Sequence, residues 1–125
     1  MTLYHALIRT HHITSRKKVS TLKAAAKKLE VDTLLRSGGV PGLMYVRGRS
    51  LESVQSWVDI VHDLRYKEYR LVCPAARVPG ECCEDTREDS HSIVEEVETV
   101  RDMAAVMEKK GVLEWWKKAM GFMGD

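Results

Sequence analysis

What most restricts the fold of this chain is the order in which its hydrophobic periodicity changes. Leu3–Ile13 reads as a strand. Over Ser15–Glu30 the apolar positions Val19, Leu22, Ala26 and Leu29 recur at the spacing of a helix with one core-facing stripe. Val31–Arg36 reads as a short second strand and Leu43–Arg47 as a third. Between them Ser37–Gly42 holds three glycines and a proline, a turn composition. Ser50 is a good N-cap for a second helix, whose apolar face is Leu51, Val54, Trp57, Val58, Val61 and Leu64. Lys67–Cys73 is the fourth strand, closed by Pro74. Strand, helix, strand, strand, helix, strand predicts an α+β fold of ferredoxin-like type: a four-stranded antiparallel sheet (βαββαβ) with two helices on one face.

The order divides the chain into a core over residues 1–78, an acidic linker over 79–91, and a C-terminal helical extension over 92–125. In the extension, Ser92 followed by Glu95 has the pattern of a capping box. Val97, Val100, Ala104 and Met107 then predict a helical stripe running to Lys109 and Lys110, with Gly111 closing the helix. Val112–Phe122 predicts a last short helix bearing Trp115 and Trp116.

Charge is distributed unevenly. Residues 1–80 hold 14 Lys/Arg against 6 Asp/Glu, a net +8, while residues 81–102 hold 2 against 9, a net −7. A basic body invites a polyanion, and the acidic segment offers an internal competitor for the same surface. No apolar run has membrane-spanning length. Cys73, Cys82 and Cys83 are an odd set that includes two neighbours, so a disulfide framework is not expected and a reducing nuclear or cytoplasmic compartment is. There is no nucleophile elbow, phosphate loop, zinc spacing or carboxylate cluster. The chain is therefore expected not to be an enzyme and to need no cofactor or metal.

The candidate contact residues lie where the first strand meets the first helix. His11 and His12 end the strand, and Arg16, Lys17 and Lys18 fill the first helical turn, where outward N–H groups already favour an anion. Arg16, Lys23 and Lys27 share a stripe about 100° from the apolar line. Neighbouring strand positions face opposite ways, so His11 and His12 are expected to diverge. By the same alternation Ala6, Ile8, Met44, Val46, Tyr69 and Leu71 face the two helices. His5, Leu7, Arg9, Leu43, Tyr45, Arg47 and Arg70 face away. The second set is either a platform on which Tyr45 and Arg47 meet nucleic-acid bases, or a surface that the C-terminal helix covers through Leu7 and Leu43. Of Trp115 and Trp116, one is expected in the core and the other at a partner or oligomer contact.

The series His11-His12-Ile13, Ser15-Arg16-Lys17-Lys18, Gly39-Val40-Pro41-Gly42 and Tyr45-Val46-Arg47-Gly48, followed by a helix with Trp57, resembles the C-terminal domain of the splicing protein pre-mRNA-processing factor three. That domain also occurs behind RWD domains. The resemblance covers about Leu3 to Val78. It implies a ferredoxin-like fold and contact with small nuclear RNA, carried over to His11, His12, Arg16–Lys18 and the Gly39–Gly42 turn. The expected function is an RNA-associated module. The alternative is a protein-interaction or scaffolding domain working through the C-terminal helices and the sheet face.

Overall fold

The computed structural model describes residues 3–13, 15–37, 42–78 and 94–120. Its elements are β1 (Tyr4–Thr10), α1 (Arg16–Leu29), β2 (Asp32–Arg36), β3 (Gly42–Gly48), α2 (Leu51–Asp63), β4 (Arg70–Arg77), β5 (Val94–Val97), α3 (Val100–Lys109) and α4 (Leu113–Met120). The fold is α+β, with a five-stranded sheet in the order β4-β1-β3-β2-β5. The β4–β1, β1–β3 and β3–β2 pairs are antiparallel, and β5 lies parallel to β2.

Local chemistry explains the helix boundaries. The Ser15 hydroxyl accepts from the Lys18 N–H at 3.2 Å, and Ser50 accepts from Ser53 at 3.3 Å, each satisfying an orphan donor of the first turn. Glu30 ends α1 in the left-handed region (φ 59°), its N–H returning to carbonyls of the last turn. Both caps fall within a residue of the expected ends.

The C-terminal part differs from expectation. The sheet has five strands, not four. The predicted helix over 92–110 divides: Val94–Val97 is a strand, and α3 starts only after Thr99, whose hydroxyl accepts from Asp102 N–H at 2.9 Å. Ser92, assigned a capping role by its spacing, lies outside the described residues, as do Cys82, Cys83, the turn residues 38–41, residues 79–91 of the acidic linker and Phe122. The physical reason is the exposed edge of β2. An unpaired strand edge is a row of unmet donors and acceptors, and pairing with β5 satisfies it. Pro74 also does not end β4, which runs through it to Arg77. β4 is an edge strand, where a missing N–H can face outward, and its register against β1 shifts twice, between His5 and Leu7 and between Leu7 and Ile8.

Both sheet faces are buried. On one, Ala6, Ile8, Met44 and Val46 meet Val19, Leu22, Val54, Trp57 and Val61 of α1 and α2. The Trp57 indole N–H donates to the Leu22 carbonyl at 3.3 Å and so ties the two helices together. On the other, Leu7, Leu34, Leu43 and Tyr45 meet Met103 and Met107 of α3 and Trp116 of α4. The alternation expected along β1 and β3 therefore holds, and the face turned away from α1 and α2 is a second core. No helix among the described residues is long and apolar enough to cross a membrane.

Candidate functional site

Three segments meet at the end of the sheet where β1 runs out. The His11 N–H donates to the Lys67 carbonyl at 2.9 Å, and the Gly42 N–H donates to the His11 carbonyl at 3.2 Å. This knits the end of β1 to the approaches of β4 and β3. The junction leaves no room for a side chain at Gly42, where a Cβ would sit 2.6 Å from Thr10 Oγ1 and 2.8 Å from Ile13 Cγ1. Because β1 stops at Thr10, strand alternation no longer governs the two histidines. Their rings do not diverge; the centroids lie 4.6 Å apart. His11 Nδ1 is 3.2 Å from the exposed Glu68 carboxylate, and His12 is exposed.

α1 then presents six cations and no acid along Arg16–Leu29. Arg16 and Lys18 have internal contacts, and the Lys23 charge also acts on Glu96. Arg16 donates to both carboxylate oxygens of Glu96 on β5 through Nη2 and Nη1, at 2.9 and 3.1 Å. The Ser37 hydroxyl donates to the same carboxylate at 3.2 Å. These hydrogen bonds, led by Arg16, hold the Glu96 carboxyl below its ordinary range against the opposing effect of its own partial burial. Lys18 sits 4.7 Å above the ring of Tyr66, whose burial pushes its hydroxyl up to about 12 although Arg16 acts in the other direction. Lys17, Lys23 and Lys27 are exposed, and none of their ammonium groups forms an ion pair among the described residues.

Of the sequence candidates, Tyr45 and Trp116 are buried, and Arg47 and Trp115 are partly covered. Tyr45 is 1% exposed, so the reading of Tyr45 and Arg47 as a base-stacking platform is corrected. The Tyr45 hydroxyl bonds to His5 Nδ1 at 2.8 Å and accepts from Arg47 Nε at 3.1 Å. Arg47 Nη2 donates to the Lys110 carbonyl at 3.2 Å, and Asp32 lies directly opposite on β2. Burial, and secondarily the Arg47 charge, pushes the His5 ring down to about 4. Trp115 stacks on His5 with centroids 3.9 Å apart, and Trp116 is buried with Met103 and Met107. Both tryptophans thus fasten α4 to the sheet. A partner-contact role for Trp116 is corrected by its burial, and Trp115 is half-buried against His5 and Tyr45.

The sequence candidates omit two cations. Arg9 and Arg70 face each other directly across β1 and β4, both exposed. Strand parity already places them on the covered face together with Leu7 and Leu43. Their position at its open rim is the missing piece, and it depends on how far α3 and α4 extend.

No protein-family model matches the chain, and no curated protein matches it. A solved structure of a bacterial light-regulated adenylyl cyclase is similar in fold, with a TM-score of 0.50 at 11% sequence identity. The likeness covers 97% of this chain and 36% of that one, so this chain spans about a third of that neighbour's length. The expectation that the chain is not an enzyme is overturned on this point: the architecture also occurs within the chain of an enzyme, so missing catalytic motifs do not set it apart. At this identity the likeness carries the fold and assigns no residue a role.

Proposed function

We propose that this chain is an RNA-associated module with a ferredoxin-like βαββαβ core, which grips the sugar–phosphate backbone through the exposed side of α1 and the His11–His12 strand end. The observation that carries this reading is α1 itself: six cations, no acid, and a carboxylate partner for Arg16 alone among them within the described residues. Cations in a first helical turn oppose the helix dipole, so Arg16, Lys17 and Lys18 are poorly explained by the stability of the helix. They suit a phosphate, which also accepts from outward-pointing N–H groups. With Tyr45 buried against Trp115 and Arg47 bonded to the Lys110 carbonyl, the contact is to backbone and not to stacked bases, and little sequence preference is expected.

A labelled oligouridylate titrated with the full chain tests this. Binding should weaken with salt by about 0.7 in log–log slope for each phosphate neutralised. Lys17→Glu/Lys23→Glu/Lys27→Glu should abolish it. Arg16 is left in place because its loss also frees Glu96. No binding at low salt, or binding untouched by the triple reversal, rejects the proposal.

A further inference from the structure

We infer that Arg9 and Arg70 form a second phosphate-binding point for the same RNA strand, at the rim of the covered sheet face; this rests on the RNA reading above. Arg9 and Arg70 are direct cross-strand partners in the β1–β4 ladder, so both side chains leave the sheet on one face. Like charges directly opposite each other destabilise a sheet. Neither guanidinium has a hydrogen bond or ion pair to a carboxylate among the described residues. The same row continues through Leu43 to Arg36, whose Nε is occupied by the Glu98 carbonyl at 3.1 Å. Among the described residues Arg9 and Arg70 are therefore the members of the row without a side-chain partner.

The opposite end of this face is built in the contrary way. There Arg47 lies across from Asp32 and is bonded to Tyr45 and to Lys110. Arg47 is thus held by oxygens of the fold, whereas Arg9 and Arg70 face each other without a carboxylate among the described residues, an arrangement that suits a phosphate. Two guanidinium forks on neighbouring strands can converge on one phosphate, whose oxygens accept several charge-assisted hydrogen bonds. α1 packs on the other face of the sheet, but its cationic start lies within chain reach of Arg9 around the end of β1. Arg16 follows Arg9 by seven positions, at most about 24 Å of extended chain, and the exposed His12 lies between them in sequence. One strand of a few nucleotides can touch both.

The test uses the full chain and labelled oligouridylate. Arg70→Glu turns the like-charge pair into an opposite-charge one, so Tm should hold or rise. RNA affinity should nevertheless fall about tenfold near 50 mM salt, with a log–log salt slope shallower by about 0.7 for each phosphate that is no longer neutralised. Arg49→Glu makes the same change in net charge at an exposed arginine beyond the far end of β3 and should bind within twofold of the parent. If Arg70→Glu lowers Tm, the double variant Arg9→Gln/Arg70→Gln with native Tm is read in its place. Equal effects of Arg70→Glu and Arg49→Glu overturn the inference, because net charge alone then explains them. Unchanged affinity in Arg70→Glu, with binding abolished in the α1 triple reversal, overturns the inference and leaves the RNA reading standing. Absence of binding by the parent chain removes both.

Discussion

The two ends of the sheet face under α3 and α4 are made from the same materials and put to opposite uses. At one end His5, Tyr45, Arg47 and Trp115 close on one another, with hydrogen bonds joining His5 to Tyr45, Arg47 to Tyr45 and Arg47 to the Lys110 carbonyl. At the other, Arg9 and Arg70 stand opposite each other at the surface, and His11, His12 and the cationic start of α1 follow Arg9 in sequence. Buried polar groups are costly unless satisfied, so the first arrangement fixes where α4 docks. Exposed like charges cost little in water, so the second can be kept for a ligand at a small loss of stability. The lesson is that an arginine or tyrosine on this face reports function only once its cover is known.

The sharpest way to break this comparison is to undo the closed end. Trp116→Ala removes a large side chain from the second core and should cost about 3–5 kcal/mol in urea unfolding. A cost well below about 1 kcal/mol would mean that α4 does not rest on the sheet, and the platform would be open after all.

Acid should loosen the same end. The His5 ring sits at about 4 in the folded chain, against 6.5 for the free side chain. The unfolded chain therefore binds more protons between those values. This contribution is complete above about pH 6.5 and is lost as the pH falls toward 4, amounting to at most roughly 3 kcal/mol. His5→Gln should flatten that part of the stability profile; an unaltered profile would place the titrating group elsewhere.

Tyr45→Phe leaves His5 Nδ1 and Arg47 Nε short of a partner and should cost about 1–3 kcal/mol. RNA affinity should be untouched. Weakened binding with stability retained would move the functional end of the face to the wrong side of this account.

The smallest effect concerns the boundary between the acidic segment and the basic body. Glu96 occupies Arg16 and accepts from Ser37. Glu96→Gln should tighten RNA binding severalfold at low salt and leave Tm nearly unchanged. Unaltered affinity would show that Arg16 lies off the RNA path.

Much of the core is legible in the sequence because its signals are local. Ser15 and Ser50 cap α1 and α2, the apolar stripes have helical spacing, and parity along β1 and β3 sorts Ala6 and Ile8 from Leu7 and Leu43. β5 is not legible, because Val97 and Val100 sit three apart, which suits a helix as well as the end of one strand and the start of the next. The need of β2 for an edge partner decides the matter, and a single segment does not display that need. Pro74 misleads for the same reason: it breaks a central strand but not an edge. At the candidate site the cations can be counted from the sequence, but their commitments cannot. Arg16 meets Glu96 across 80 residues and His5 meets Tyr45 across 40, and only the folded chain brings these pairs together.

The division of labour between the two ends is tested most directly by backbone amide shifts of the full chain during titration with a short oligouridylate at low salt. Shifts should concentrate at Arg9, His12, Lys17 and Arg70 and along the exposed side of α1, with Tyr45, Arg47 and the Trp115 indole unmoved. Shifts centred on Trp115 and Arg47, or none anywhere at saturating RNA, would contradict it.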